Sequence, residues 1–279
     1  MTTSTHPVTQ TSYTTFAALF ACHRYPAGET HTALRPGLQL PSRLTIEAPV
    51  TGFETLGQLL TANRILRRNR IEAEWFVPYF PFARHDRRNH PGDGLELEVA
   101  LEMVANLELV IADPHSDVAG QLLHIPQKSS VERFAAAGLF DNEPIVVIPD
   151  AGATKKVLEW APDLAPSQIV QAVKHRNPTT GQLSGFGVLA DDLGGRPCLI
   201  VDDICDGGGT FLGLARELQA KNAGPLSLAV THGLFTRGTD DLRQSFERIV
   251  TFGFATDPSP AAGVDYLPFH DLYTKGARR

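Results

Sequence analysis

The sequence predicts an α/β fold in two halves, each a mostly parallel sheet flanked by helices. Three observations predict it. The chain has 279 residues, about two domains at roughly 150 residues each. Short apolar runs alternate with stretches whose apolar residues recur at helical spacing, the rhythm of strand–helix–strand units. That rhythm breaks between residues 125 and 140 and restarts with a wholly apolar run at 144–148.

The elements follow in order. Residues 1–15 are rich in Thr and Ser without an apolar period, and read as a loose arm with room for one early strand. Residues 44–50 read as a strand. Residues 53–68 read as a helix, with Leu56, Leu59, Leu60, Ile65 and Leu66 on one face. Residues 74–77 form a strand that ends at Pro78, 97–107 a helix and 109–112 a strand. A helix at 131–139 marks the junction, so the halves are taken as 16–130 and 131–279. Beyond it come strands at 144–148, 169–173, 199–201 and 226–230, with helices at 154–160 and 210–221. Residues 175–187 hold Pro178, Thr179, Thr180, Gly181, Ser184 and Gly185, and read as a mobile loop.

Composition removes several function classes. At 42% apolar and 20% charged residues the chain can bury an ordinary core. No run approaches the ~18 apolar residues of a membrane span, and no basic segment leads into an apolar run as in a secretory leader. The three cysteines, Cys22, Cys198 and Cys205, are scattered, which excludes a disulfide framework and a CxxC zinc site and fits a reducing, cytoplasmic setting. A net charge of −6 argues against a nucleic-acid-coating protein. An anionic ligand must therefore be held by a local cluster.

One such cluster is residues 198–211, CLIVDDICDGGGTF. An apolar strand ends in Asp202 and Asp203, then Asp206, then Gly207, Gly208, Gly209 and Thr210 at a helix start. Glycines let backbone N–H groups crowd around a phosphate, and the helix dipole adds to the attraction. The acids accept hydrogen bonds from sugar hydroxyls or help to place a divalent cation. Together they suggest a phosphorylated sugar. The same glycines also fit a tight turn with Asp206 as its helix cap. Residues 75–88, WFVPYFPFARHDRR, deliver aromatic rings and the cations Arg84, His85, Arg87 and Arg88 to the end of a strand. Such rings stack on a purine and guanidinium forks clamp phosphates. A solvated basic turn has the same composition.

The loop VDDICDGGGT resembles the ribose 5-phosphate or PRPP-binding loop of the phosphoribosyltransferase superfamily. Residues 75–88 resemble the ATP-binding PYxxYARQDR segment of the ribose-phosphate diphosphokinases, or PRPP synthetases. More segments match in chain order: IADPHSDVAG at 111–120 the metal-binding His loop, IPDAGATKK at 148–156 the SPDAGGxKR segment, Lys174-His175-Arg176 the catalytic KxR, and VTHGLF at 230–235 the ATHGxF segment. The resemblance implies two phosphoribosyltransferase-like (type I) domains. It implies Mg²⁺-dependent transfer of the β,γ-diphosphoryl group of ATP to the anomeric hydroxyl of ribose 5-phosphate, giving PRPP and AMP.

By that resemblance Lys174 and Arg176 are catalytic. Arg84, His85 and Asp86 line the ATP site, His115 and Asp150 attend the metal, Asp202 and Asp203 bind the ribose hydroxyls, and Asp206 to Thr210 take the 5-phosphate. Alone, His115 and Asp150 also read as caps, and Lys174 and Arg176 as an exposed strand end. Trp75 reads as core. The family completes its ATP site with a hairpin from a neighbouring subunit. The nearest segment is Tyr25-Pro-Ala-Gly-Glu29, so Tyr25 and Glu29 are assigned to ATP and a homo-oligomer, a dimer or hexamer, is expected.

Departures from the family matter as well. His85 replaces a Gln. Residues 89–95, NHPGDGL, replace a segment tied to phosphate activation, so that control is not expected. Gly207 replaces a Thr, removing a hydroxyl donor and opening space, which admits a larger acceptor such as ADP-ribose. Two rivals remain at this point. A phosphoribosyltransferase that consumes PRPP shares the loop but needs neither the Arg84 segment nor the KxR. A regulatory homologue binds synthetases without turnover.

Overall fold

The computed structural model describes residues 12–88, 90–116, 118, 127–128, 130–149, 154, 157, 168–176, 183–253 and 260–275. The chain divides into two compact units, Met1–Lys128 and Ser129–Arg279.

In the N-terminal unit β1 (Ser12–Thr15) leads through the short helix α1 (Phe16–Leu19) into a hairpin, β2 (Phe20–Arg24) and β3 (Thr30–Leu34). Then come β4 (Arg43–Glu47), α2 (Phe53–Arg68), β5 (Glu72–Val77), α3 (Glu96–Val104), β6 (Glu108–Ala112) and β7 (Gln127–Lys128). Among the described residues the sheet order is β1-β4-β5-β6-β7, and every pairing in it is parallel. Part of the segment read as an arm is thus an edge strand, where Tyr13 and Glu47 share a hydrogen bond. The helix at 53–68 lies where its spacing placed it. It buries Leu56, Leu59, Ala62 and Leu66 against the sheet core. Gly52 precedes it, and Thr55 reaches back to accept from the Gly52 N–H at 3.1 Å, satisfying an amide that the helix leaves over. Helix α3 ends at Val104, three residues short of the expected 107.

The hairpin is absent from the sequence reading for a physical reason. Its strands pair antiparallel from Phe20↔Leu34 to Arg24↔Thr30. After Phe20 every residue of β2 is exposed, so no alternation of apolar and polar residues marks it.

In the C-terminal unit α4 (Val131–Ala136) precedes β8 (Ile145–Ile148), β9 (Ile169–Arg176), β10 (Leu183–Val188) and β11 (Cys198–Cys205). Next are α5 (Gly209–Ala220), β12 (Leu226–Gly233), α6 (Asp240–Ser245), β13 (Arg248–Gly253), β14 (Asp265–Pro268) and α7 (Phe269–Lys275). The described sheet runs β10-β9-β8-β11-β12-β13-β14, parallel throughout except for the edge pair β9–β10. Most of the predicted helix at 154–160 lies outside the described residues, although Thr154 and Val157 are helical.

At both ends of the mobile loop expected at 175–187 the described residues are strand. β9 continues through His175 and Arg176, and β10 returns from Leu183, with pairs from Leu183↔Arg176 to Val188↔Ala172. The register slips between Leu183 and Gly185, so the Ser and Gly that read as loop sit at a bulge on an edge strand, where such residues are tolerated. Residues 177–182 lie outside the described residues.

Each unit has its own core. Trp75 anchors the first: it is fully buried and its indole N–H donates to Asn63 Oδ1 at 3.0 Å. Its assignment to the core holds. Trp75→Ala is expected to cost about 3–5 kcal/mol of stability, as for other large aromatic truncations. Urea unfolding followed by circular dichroism measures it, and a loss below about 1 kcal/mol would mean that the ring is not a packing centre.

Candidate active site

Sheet order decides where the C-terminal unit can take a ligand. From β8 the chain moves outward to β9 and β10, then returns to place β11 on the other side of β8 and continues to β12. The direction reverses between β8 and β11. In parallel sheets the crevice at the carboxyl ends of such strands is where ligands sit. The loop 206–210 follows directly from β11. Asp150, assigned to the metal, follows β8 but lies outside the described residues.

The acids lie inside β11, beyond the strand end expected at residue 201. The ladder with β12 continues through Asp202↔Val230 and Ile204↔His232 to Cys205↔Gly233, so backbone pairing overrides the polar side chains. Asp203 is buried and Asp202 half-buried, and the Asp202 carboxylate accepts from the Asp203 N–H at 3.0 Å. The strand runs into Asp206 and Gly207, then Gly208 at φ 75. A left-handed residue with Leu242 carbons 3.3 Å from where its β-carbon would be leaves little choice but glycine. Gly208 is the residue before α5 and has no side chain with which to cap that helix. The Asp206 carboxylate accepts from the Thr236 hydroxyl at 2.7 Å. The first amides of α5, from Gly209 and Thr210 on, are the ones a helix leaves without intrahelical partners, and they lie next to this loop. Burial pushes the Cys205 thiol up to about 12, and Asp202 and Asp206 add to the effect, so it stays protonated beside the loop.

The segment singled out at 230–235 packs over this loop together with Thr236 and Arg237, which the sequence reading passed over. Leu234 and Phe235 donate to the Cys205 carbonyl at 2.9 and 3.2 Å, and the Thr236 N–H donates to the Asp206 carbonyl at 3.0 Å. Phe235 has φ 44, uncommon for a bulky side chain, and its buried ring holds it there. The turn sets Arg237 beside Gly207. The space expected to open at Gly207 is not open: a β-carbon there would stand 3.2 Å from Cδ and Nε of Arg237. Sequence spacing carries no sign of this contact.

In the N-terminal unit β5 and β6 are neighbours, and their carboxyl ends carry the other predicted residues. After β5 a 3-10 turn, Pro81–Arg84, presents exposed Arg84 and His85 and half-buried Asp86. Phe80 and Phe82, available on paper to stack on a purine, are in the core, the Phe82 ring centre 4.6 Å from that of Phe53. The backbone turn rotates them inward and the cations outward. After β6, Asp113 sits at φ 37, a conformation that Asp tolerates, and leads to exposed His115 and buried Ser116. Ser116, which the sequence reading passed over, bonds to the Asp86 carboxylate and so joins the two strand ends. His85 Nδ1 lies 3.8 Å from Glu96 Oε2. Tyr25 and Glu29 close the tip of the β2–β3 hairpin, where Tyr25 N–H donates to the Glu29 carbonyl at 2.8 Å. The Tyr25 ring is 49% exposed, and the hairpin is tied to α2 by an Arg24–Glu54 ion pair. Lys174 and Arg176 lie in β9, paired with Phe186 and Leu183.

Among the described residues no three of His, Cys, Asp and Glu converge as a metal cage.

Two α/β units with an acid pair and a glycine loop at a switch point define a phosphoribosyltransferase-like protein. The Phosphoribosyl transferase domain family matches residues 118–258. The chain is 30% identical over 263 residues to a ribose-phosphate pyrophosphokinase of Methanopyrus kandleri, covering 88% of this chain and 86% of that one. It is 24% identical over 197 residues to one of Mycobacterium bovis, covering 68% and 60%. The structure superposes on phosphoribosylpyrophosphate synthetase from Mycobacterium smegmatis with a TM-score of 0.72 at 18% identity, over 91% of this chain and 87% of that one. The chain belongs to the ribose-phosphate pyrophosphokinase family, which consists of diphosphotransferase enzymes.

Burial opposes charge on Asp86, but hydrogen bonds from Ser116 and Arg87 outweigh it and hold the carboxyl below its ordinary 3.8. Folding thus lowers this pKa. The stabilisation is full above about pH 3.8 and fades as pH falls through the lower folded value. The stability gap between wild type and Asp86→Asn is expected to be constant near neutrality and to shrink below about pH 4. Urea midpoints against pH measure it, and a gap that widens in acid would reverse the sign.

Proposed function

We propose that the chain transfers the β,γ-diphosphoryl group of ATP to the anomeric hydroxyl of ribose 5-phosphate, releasing AMP and forming PRPP. The observation that carries this is the loop 206–210 at the reversal between β8 and β11, with the acid pair immediately before it. In this reading the first amides of α5 and Thr210 take the 5-phosphate, and Asp202 and Asp203 accept from the ribose hydroxyls. Arg84, His85 and Asp86 hold ATP. His85 is a donor in place of the family's Gln, and Asp86, kept ionised by Ser116 and Arg87, is acceptor-only.

The sugar oxygen attacks the β-phosphorus and loses its proton. The bond from that phosphorus to the oxygen bridging to the α-phosphate breaks, and AMP departs. Negative charge builds on the phosphoryl oxygens, so the cations of Lys174 and Arg176 are worth most in the transition state. When bound, Mg²⁺ would supply Lewis-acid charge neutralisation on the polyphosphate, with Asp150 as a carboxylate ligand and His115 at its water shell.

The exposed Tyr25–Glu29 tip is read as completing the adenine site of a neighbouring subunit in a homo-oligomer. The aromatic ring and the carboxylate are held by the hairpin and not by its unit's core.

The test is incubation with ATP and Mg²⁺, offering ribose 5-phosphate or ADP-ribose in parallel, with AMP and the diphosphate product read by chromatography. AMP and PRPP are expected with ribose 5-phosphate. AMP mainly with ADP-ribose would overturn the acceptor, and AMP with neither would overturn the transfer. Lys174→Ala should lower turnover by about 100-fold or more while leaving the thermal midpoint unchanged. Undiminished AMP release by that variant removes Lys174 from catalysis.

A further inference from the structure

The loop 206–210 follows three carboxylates, Asp202, Asp203 and Asp206, in a chain of net charge −6. Amides alone must hold a phosphate against that field unless a cation stands close by. Arg237 does. Its Cδ and Nε lie 3.2 Å, and its Cγ 3.4 Å, from the point where a β-carbon of Gly207 would be, so its stem rests on the bare backbone of the loop. Its own backbone is fixed to the loop by the Leu234, Phe235 and Thr236 amides on the Cys205 and Asp206 carbonyls. The Thr236 hydroxyl on Asp206, and the Gly238 N–H on the Phe235 carbonyl at 2.8 Å, close the turn on both sides of it. The side chain is exposed, and among the described residues no carboxylate pairs with it.

We infer that Arg237 is a specificity-determining residue of the acceptor site: its guanidinium clamps the terminal phosphate of a sugar phosphomonoester seated in the loop. The inference rests on the sugar-phosphate reading of that loop given above and adds a residue and a preference to it. A guanidinium fork matches two oxygens of a terminal phosphate and gains most from a dianion. A phosphate inside a diphosphate bridge carries about one charge, against the −1.5 to −2 of a monoester at pH 7. The stem also fills the room that a substituent on the phosphate would need. Gly207 and Arg237 therefore act as one unit: the missing side chain at 207 makes space for the cation and not for a larger acceptor.

The test is calorimetric binding of ribose 5-phosphate to wild type, Arg237→Ala, Gly207→Thr and the double variant, with folding checked by thermal midpoint. Arg237→Ala should weaken binding about tenfold or more and flatten its dependence on salt. Gly207→Thr should also weaken binding, because its β-carbon presses on Arg237. In the double variant the two losses should fall short of adding. Equal affinity and equal salt dependence in wild type and Arg237→Ala would overturn the clamp alone. So would tighter binding of ADP-ribose than of ribose 5-phosphate by wild type. No binding of ribose 5-phosphate by folded wild type would overturn the sugar-phosphate reading beneath it. AMP release is measured separately, so loss of turnover with intact, Arg237-dependent binding counts against the transfer and not against the clamp.

Discussion

The pairing of β11 with parallel neighbours on both sides is the constraint on which the C-terminal unit depends. β8 holds its first half, Cys198↔Ile145 to Ile200↔Val147, and β12 holds its whole length. The longer ladder carries Asp202 and Asp203 to the rim of the sheet as parts of a strand, with their side chains set by the pleat. The chain must then turn into a helix whose apolar face, Phe211, Leu214, Ala215 and Leu218, packs on the same sheet. That turn is too tight for a side chain at Gly208, where the chain enters the helix left-handed.

The N-terminal unit solves a different problem with the same architecture. Its described strands follow one another across the sheet, and among the described residues no reversal marks a site. Its predicted site residues gather instead where two adjacent strand ends are tied by one hydrogen bond, from Ser116 to Asp86. The tie keeps a carboxylate ionised while the 3-10 turn sends Phe80 and Phe82 into the core and leaves Arg84 and His85 in solvent. Packing and chemistry are thus separated within a few residues of one segment.

Electrostatics links these features to specificity. The strand acids suit sugar hydroxyls and repel phosphate, and the helix amides attract it, so the balance is settled by which cations the loops bring near. Arg237 reaches the loop because the Phe235 ring is buried in a left-handed turn and Thr236 is bonded to Asp206. Nothing in the local preference of that segment requires the arrangement. It exists because β12 ends beside β11.

The sequence by itself determined the α/β class, the helix Phe53–Arg68, most strand positions, and the family that its ordered motifs resemble. Apolar periodicity reports burial directly, and glycines beside acids report a backbone approached by a ligand. It missed β2 and β3, and it read residues 175–176 and 183–187 as loop where they are strand, because edge-strand composition looks like loop. β13 was passed over although its apolar run, Ile249 to Phe252, carried the signal. Only the tertiary structure decided the switch point between β8 and β11, the joining of Asp86 to Ser116, the withdrawal of Phe80 and Phe82, and the seat of Arg237 on Gly207. The physical reason is common to all of these. Each depends on which strands lie side by side, and strand order is fixed by packing between segments distant in sequence, which local residue patterns do not encode.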